Sequence, residues 1–283
     1  MFKQSTNVAT YAVVGNPVAH SKSPLIHSLF AKQTGQDLEY TTQQCDDSSF
    51  DQTVLDFFSA GGNGLNITVP FKERAFALAT ECSDQATLAK AVNTLFLDQQ
   101  NILCGDNTDG IGLVTDISIN NNFSINDKKI LILGAGGAVR GVLAGLISAQ
   151  PSLVTILNRT ASKAEQLKQE FDSYLPVTAT SYDDPVEQAF DLVINGTSMS
   201  LAGKTPQITA ELLAPNCCCY DMMYGKQETP FVTWAKQQGV SLALDGLGML
   251  VEQAAVSFAL WRGVRPDTAP ILAALRAELS RDV

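Results

Sequence analysis

Residues 129–141, KILILGAGGAVRG, decide the fold. A short apolar run leads directly into Gly134, Gly136 and Gly137, and a helix-forming segment follows at once. Glycine allows a tight turn and lets the backbone approach a pyrophosphate, whose charge then faces the helix N-terminus. Val139 stands where the GxGxxG pattern has its third glycine, so the strand before and the helix after support the interpretation. The predicted pyrophosphate site comprises Gly134, Ala135, Gly136, Gly137 and Ala138.

The end of the next apolar run, LVTILN at 153–158, indicates which dinucleotide binds. NAD-binding folds place an acidic residue there, about 20 residues beyond the glycines, to hold the ribose 2′-hydroxyl. This chain has Asn158, Arg159 and Thr160 at that point, followed by Lys163. Cationic side chains suit a 2′-phosphate, which a carboxylate would repel. We therefore predict NADP(H) as the cofactor, although Arg159 and Lys163 could also be solvated residues that open a helix.

Short apolar runs alternate with helical patterns along the chain, which predicts parallel sheets covered by helices. At 283 residues the chain exceeds the usual size of one domain. We predict an α/β fold with an N-terminal α/β substrate domain, whose sheet is mostly parallel, and a Rossmann-like NADP domain. The predicted bounds are 1–109 plus 247–283 for the substrate-binding and catalytic domain, and 110–246 for the NADP-binding domain. The runs interpreted as strands include 10–16, 64–69, 92–97, 129–134, 153–158, 191–196, 217–222 and 240–244.

Composition excludes several classes of partner. The net charge of -10 argues against nucleic acid and anionic membranes, since both attract basic surfaces. No stretch reaches the ~18 uninterrupted apolar residues of a membrane helix, and no apolar signal segment opens the chain. Adjacent Cys217, Cys218 and Cys219 would alternate in direction on a strand, and CxxC is absent, so we predict no metal site. We expect a cytoplasmic monomer or homodimer with a small-molecule substrate.

Residues 20–30, HSKSPLIHSLF, predict the start of a helix. Ser23 suits the N-cap and Pro24 the first helical position. Ser23 would then be only a cap. Alternatively, Ser21, Ser23 and the N–H groups of the first turn bind a small carboxylate. The residues alone favour neither interpretation.

Residues 64–76, GLNITVPFKERAF, contain a lysine whose position favours a chemical role. Pro70 ends the strand, which places Lys72 at a strand's carboxyl end, where open α/β sheets bind ligands. Glu73 and Arg74 fall outside the apolar face of the following helix. The residues that share a face with Lys72, at about 100° per residue, are Ala75, Phe76 and Ala79.

Together these motifs resemble the shikimate dehydrogenase family. The matching segments are GNPVAHSKSP (15–24), NITVPFKE (66–73), AVNTL (91–95), GDNTDGIG (105–112), GAGGAVRG (134–141), NRT (158–160), YDMMY (220–224) and DGLGMLVEQA (245–254). They follow the family's order from residue 11 to about 262, a combination that an arbitrary Rossmann protein would not show. The resemblance implies reversible, NADPH-dependent reduction of 3-dehydroshikimate to shikimate, in chorismate and aromatic amino acid biosynthesis.

The resemblance also implies roles for individual residues. Lys72 and Asp109 would form the catalytic acid/base pair. The substrate contacts would be Ser21, Ser23, Thr68, Lys72, Asn93, Asp109, Tyr224 and Gln253. The cofactor contacts would be the glycine loop 134–138 with Asn158, Arg159, Thr160, Lys163, Met222, Gly246 and Asp84.

The proton donor in this assignment is a lysine, which is an unusual choice. Ketone reduction needs a proton for the oxygen on which charge develops, and histidine is the usual carrier. This chain has only His20 and His27. A partly buried lysine that a carboxylate orients can take the role. We hypothesise that Lys72 donates the proton while Asp109 positions it.

Two other functions stay open. A quinate/shikimate dehydrogenase that uses NAD would share the fold, although Arg159 in place of an acid argues against it. A non-catalytic nucleotide-sensing protein would not need to keep the proposed proton donor Lys72. The family's NADP-dependent members usually read NRTxxR, whereas NRTASK here puts Lys163 in place of an arginine. Lysine lacks the planar fork of arginine, so we expect weaker discrimination between NADP and NAD.

Overall fold

The computed structural model describes residues 8–184 and 186–281, and these form two compact units. The first unit runs to Thr108 and includes Gln253–Ile271, and the second comprises Asp109–Glu252 and the residues from Leu272. The predicted bounds, 1–109 plus 247–283 and 110–246, differ from these units mainly in the last two helices. The domain bounds therefore stay a prediction.

The first unit is built on a six-stranded sheet with the order β2-β1-β3-β5-β6-β4. Its elements are β1 Ala9–Gly15, α1 Ser23–Thr34, β2 Leu38–Gln44, α2 Phe50–Ser59, β3 Gly64–Ile67, α3 Lys72–Leu78, β4 Glu81–Cys82, α4 Asp84–Ala89, β5 Thr94–Leu97 and β6 Leu103–Asp106. Strand β1 pairs in parallel with β2 and β3, and β4 with β6, whereas β5 is antiparallel to both neighbours. The central strands bury apolar side chains, among them Val14 and Leu65, beneath the helices.

The second unit is built on a six-stranded sheet in which every neighbouring pair is parallel. Its elements are α5 Asp109–Thr115, β7 Lys129–Leu133, α6 Gly137–Ala149, β8 Leu153–Leu157, α7 Ala161–Phe171, β9 Val177–Thr180, β10 Phe190–Asn195, β11 Leu213–Asp221, α8 Pro230–Gln237 and β12 Leu242–Leu244. The order β9-β8-β7-β10-β11-β12 is the doubly wound Rossmann order, which reverses beside β7. The predicted α/β class with a Rossmann-like domain is confirmed.

Two long helices are the last described elements of the chain. Helix α9 spans Leu247–Arg262 and α10 spans Ala269–Arg281. Each helix crosses a unit boundary, since the first unit takes Gln253–Ile271. Among the helices of the described residues, none combines the length and apolar character that a bilayer crossing requires.

The three adjacent cysteines lie in the core of the second sheet. Cys217, Cys218 and Cys219 belong to β11 and are all buried free thiols. Cys217 and Cys219 pack in one apolar cluster with Phe190 and Phe231. Burial raises the pKa of the Cys218 thiol, which keeps it protonated and unreactive. These cysteines therefore contribute packing.

Candidate active site

Backbone hydrogen bonds bring three predicted substrate residues to one corner of the first unit. Thr68 follows the end of β3, where Ile67 N–H donates to the Asn93 carbonyl at 2.8 Å. Lys72 begins α3, and its carbonyl accepts from Val92 N–H at 2.8 Å. Thr68, Lys72 and Asn93 thus lie on neighbouring segments, although they are up to 25 residues apart in sequence.

Lys72 and Arg74 are both half-buried on α3, but their side chains lie in different surroundings. Ala75 is buried, Lys72 is half-buried and Glu73 is exposed. Arg74 turns to the surface of α2, where its Nε lies 2.8 Å from Asp51 Oδ1. The lysine therefore occupies the boundary between the apolar face and solvent.

Ser21 and Ser23 lie at the start of α1, but Ser23 does not cap the helix as predicted. The helix begins at Ser23, its N-cap is Lys22, and no side chain caps it, so the prediction of Ser23 as N-cap was wrong. Ser21 Oγ, two positions before the expected cap, instead accepts a hydrogen bond from Ser23 N–H at 3.2 Å. Ser23, in the first turn, is buried. Two hydroxyls consequently lie at a helix N-terminus, which favours an anion such as a carboxylate.

Buried Asn93 and half-buried Gln253 form a polar pair in the first unit's site. Asn93 is 2% exposed, and its Nδ2 donates to Thr108 Oγ1 at 2.9 Å and Gln253 Oε1 at 3.3 Å. Asp109 follows Thr108 directly and begins α5, with its side chain 6% exposed. Thr108 is therefore hydrogen-bonded to the Asn93 amide and is followed in the chain by the Asp109 carboxylate.

The glycine loop of the second unit has the backbone shape that a pyrophosphate requires. Gly134 has φ of 106°, and a Cβ there would lie 3.2 Å from Thr197 Cγ2. Helix α6 begins at Gly137 with the N-cap Gly136, whose extended backbone offers no side-chain cap. No atom of the described chain lies within 4 Å of a Cβ built at Gly136. The first turn of α6 can therefore receive an anion directly.

A cavity of about 470 Å³ extends from Gly134 along the carboxyl ends of the second sheet. Its lining residues are Gly134, Asn158, Arg159, Tyr182, Thr197, Ser198, Met199 and Gln207. Arg159, Thr160 and Lys163 are exposed at the start of α7, and Asn158 Nδ2 donates to the Thr160 carbonyl at 3.0 Å. The cavity, the uncapped helix and the cationic group fit a dinucleotide with a 2′-phosphate. Such a group, when bound, supplies a hydride.

Met222 and Gly246 lie against each other in the same unit. A Cβ at Gly246 would come within 2.3 Å of the Met222 carbonyl oxygen, so only glycine fits this approach. Met222 is 8% exposed. Burial raises the pKa of nearby Tyr224, and the Asp245 carboxylate adds to the shift, so Tyr224 keeps its phenolic proton.

Asp84 is exposed at the first position of α4, in the first unit. The N-cap of that helix is Ser83, whose Oγ accepts from Ala86 N–H at 3.1 Å. An acidic residue in the first turn also suits the helix dipole, so the fold explains Asp84 without a ligand. Its predicted place near the cofactor stays a prediction.

Sequence reasoning missed Asp221, a buried carboxylate that organises loops of the second unit. Asp221 accepts hydrogen bonds from Ser200 Oγ and Thr229 Oγ1, each at 2.6 Å, and from Met223 N–H at 3.1 Å. Asn195 Nδ2 donates to it at 3.1 Å. The YDMMY motif contains this residue, and an acid at the end of a buried strand was the available signal. Tyr182, Thr197, Ser198, Met199 and Gln207 were also missed.

The second unit has a nucleotide-binding sheet with a cationic loop, and the first unit carries a half-buried lysine near amides and hydroxyls. These two features define a pyridine-nucleotide dehydrogenase. Three family models match: the shikimate dehydrogenase substrate binding domain over residues 13–95, shikimate/quinate 5-dehydrogenase over 118–215, and the shikimate 5′-dehydrogenase C-terminal domain over 246–276. A shikimate dehydrogenase (NADP(+)) from Hahella chejuensis is 55% identical, covering 94% of this chain and 98% of that protein. The chain belongs to the shikimate dehydrogenase family, as its motifs predict.

Solved structures agree with this placement. An Ael1 enzyme from Pseudomonas putida is 45% identical with a TM-score of 0.89, covering 94% of this chain and 98% of that one. Shikimate 5-dehydrogenase from Thermus thermophilus, in complex with NADP(H) and shikimate, is 31% identical with a TM-score of 0.84. That match covers 95% of this chain and 99% of the Thermus chain. The predicted fold is therefore that of solved family members.

Proposed function

We propose that this chain reversibly reduces 3-dehydroshikimate to shikimate with NADPH, as a step of chorismate and aromatic amino acid biosynthesis. The oxidoreductase class and the NADP cofactor are those in the names of its curated relatives. The observation that carries the proposal is the grouping of Lys72 with Thr68 and Asn93 through the backbone bonds of β3 and α3. A hydroxylated ring acid needs this combination of a cation, a hydroxyl and an amide.

In this proposal, the substrate contacts and the proton donor come mostly from the first unit, and Asp109 and Tyr224 of the second unit complete the set. Ser21 and Ser23 hold the carboxylate at the N-terminus of α1. Thr68, Asn93 and Gln253 bind the ring oxygens, with Tyr224 as a further contact. Lys72 gives a proton to the carbonyl oxygen as charge develops there, and Asp109 orients the lysine.

The second unit holds the cofactor in this proposal. The loop 134–138 and the first turn of α6 bind the pyrophosphate, while Asn158, Arg159, Thr160 and Lys163 bind the adenosine phosphate. Met222 and Gly246 contact the nicotinamide side. A cytoplasmic location and a monomeric or homodimeric state also stay proposals.

The decisive experiment follows the absorbance of reduced cofactor when the chain is mixed with shikimate or quinate, using NADP⁺ and NAD⁺ in turn. We expect the highest kcat/KM with shikimate and NADP⁺. Higher kcat/KM with quinate or NAD⁺ would favour a quinate/shikimate dehydrogenase. No turnover with any of the four pairings would favour a nucleotide-sensing protein.

A further inference from the structure

Asp221, at the carboxyl end of β11, is a buried carboxylate to which the proposed reaction assigns no role. It pairs with Asn195, the last residue of the neighbouring strand β10, and both side chains are fully buried. Asp221 accepts four hydrogen bonds, from two hydroxyls, one amide and one backbone N–H. Burial raises the pKa of the Asp221 carboxyl, and these four donors oppose the shift. Donors from the protein therefore satisfy the buried charge.

Asn195 links Asp221 to the segment that follows β10. Its Nδ2 donates to Asp221 Oδ1 at 3.1 Å and to Ser200 Oγ at 3.3 Å. Its Oδ1 faces the other way and accepts from the Thr197 backbone N–H at 3.1 Å and from Thr197 Oγ1 at 2.7 Å. An ionised carboxylate cannot donate and a backbone N–H cannot accept, so only this orientation of the amide satisfies both neighbours. Asn195 is therefore fixed from both sides.

Thr197 faces the glycine loop with its methyl group. Its hydroxyl donates to Asn195 Oδ1 and accepts from Met199 N–H at 3.4 Å. Its Cγ2 lies 3.2 Å from a Cβ built at Gly134. Thr197, Ser198 and Met199 line the cavity that begins at Gly134. The segment that Asn195 holds therefore forms one wall of the cavity predicted to take the cofactor.

Ser200 holds the other end of the same wall. It lies in a 3₁₀ turn, Met199–Ala202, and its Oγ donates to Asp221 Oδ2 at 2.6 Å. The segment 196–199 is thus tied to one carboxylate at both ends, through Asn195 and through Ser200. A segment that is already ordered loses less conformational entropy when a ligand binds.

We propose that Asp221 is a positioning residue for the cofactor. Through Asn195 and Ser200 it orders the segment 196–199 before NADP(H) binds, and it acts through these residues rather than by contact with the cofactor. The wall adds side chains to a site whose pyrophosphate part is backbone. This inference rests on the proposed function, because it takes the cavity to be the one that binds NADP(H).

The test compares two hydroxyls that donate to the same carboxylate oxygen, because truncation of Asp221 itself would leave the Asn195 amide and the Met223 N–H without this acceptor. Ser200 Oγ and Thr229 Oγ1 each lie 2.6 Å from Asp221 Oδ2, but Thr229 is the N-cap of α8. Ser200→Ala should raise the dissociation constant for NADP⁺ about fivefold, because the segment must then be ordered on binding. Thr229→Val should leave that constant within about twofold, although it too loses a hydrogen bond to Asp221. Isothermal titration calorimetry measures both constants.

Amide hydrogen exchange in the cofactor-free chain measures the ordering directly. In Ser200→Ala the amides of residues 196–203 should exchange faster than in the wild type, and in Thr229→Val they should not. The kcat and the KM for shikimate should stay within about twofold in both variants. Equal NADP⁺ dissociation constants for the two variants, or unchanged exchange in Ser200→Ala, would overturn the inference alone. A wild-type chain that does not bind NADP⁺ would overturn the proposed function as well.

Discussion

The proposed nucleotide site and the proposed substrate site are built from different parts of the polypeptide. In the second unit, consecutive backbone groups form the site, namely Gly134 and the first turn of α6. In the first unit, side chains from distant segments meet: Asn66 bonds to Ser257, 191 residues later in the chain. A backbone site is disturbed only where a new Cβ intrudes, whereas a side-chain site depends on each partner. The predictions below test that difference.

The largest expected effect is at Lys72. Lys72→Ala should lower kcat for shikimate oxidation by about a thousandfold, because a positioned acid or base contributes roughly 10²–10⁴. The KM for shikimate should change little. Steady-state absorbance of NADPH measures both constants, and near-normal turnover would remove the assignment.

Arg74 provides the matched control on the same helix. Arg74→Ala removes a cationic side chain two residues away, together with its ion pair to Asp51. Its turnover should remain close to that of the wild type. An equal loss in both variants would mean that α3, rather than the Lys72 ammonium, is what the reaction needs.

His27 in α1 is a buried histidine, and its burial should make the free energy of unfolding depend on pH. Its ring stacks on Tyr40 with centroids 4.3 Å apart, and neither ring nitrogen makes a hydrogen bond of normal geometry within the described chain. Burial lowers the pKa of His27 to about 3, a shift that the neighbouring Asn66 side chain offsets only in part. The unfolded chain takes up a proton below about pH 6.5, but the folded chain does not. The free energy of unfolding should therefore fall as the pH drops from about 6.5 towards 3.

His27→Leu should flatten this pH dependence. One histidine accounts for up to about 1.4 kcal/mol of unfolding free energy per pH unit in that window, a few kcal/mol in all. Urea unfolding between about pH 4 and pH 7 measures the slope. His20→Leu, a change at an exposed histidine, is the control. The assignment fails if both variants lose the same slope.

Gly134 is the corresponding test of the backbone site. Gly134→Ala places a side chain on a residue with φ of 106°, at 3.2 Å from Thr197 Cγ2. We expect about 1–3 kcal/mol of backbone strain and at least about a tenfold weaker affinity for NADP⁺. Shikimate affinity should not change. Isothermal titration calorimetry with each ligand measures the two affinities.

Gly239 is the control that separates the backbone strain of a positive φ from the Cβ contact with Thr197. It has φ of 85°, and among the described residues no atom beyond its chain neighbours lies within 4 Å of a Cβ built there. Gly239→Ala should lower the free energy of unfolding by a similar amount but leave NADP⁺ affinity unchanged. Weaker NADP⁺ binding in Gly239→Ala would show that global strain, rather than the loop at Gly134, explains the loss.

The same contrast explains what the sequence could predict. The glycine loop and the strands of the second unit are local patterns, so β7 and β8 were predicted within one residue of their bounds. Strand β2, LEYTTQQ, was missed because only Tyr40 is buried in it and no apolar run results. The short edge strand β9 was missed as well, and with it Tyr182 in the cavity lining.

The buried amides were predictable only as residues and not as a network. Asn66 in GLNITV shows as a polar residue in an apolar strand, but its partners Tyr40 and Ser257 are 26 and 191 residues away. No local pattern encodes which end of an amide faces a distant hydroxyl. The roles that the resemblance implies for Lys72 and Asp109 stay predictions in the same sense, because they depend on long-range geometry.

The smallest expected effect concerns Lys163, where a side chain supplements the backbone site. Lys163→Arg restores the planar fork, which binds phosphate with two parallel hydrogen bonds. Because Lys163 is exposed, water screens its charge, and we expect only about a threefold rise in the preference for NADP⁺ over NAD⁺. Lys168→Arg on the same helix, where the lysine pairs with Glu165 at 3.2 Å, is the control and should leave the preference unchanged. Ratios of kcat/KM for the two cofactors measure the preference. No rise in Lys163→Arg would mean that residue 163 does not contribute to the choice of cofactor, and that Arg159 and the backbone loop alone select it.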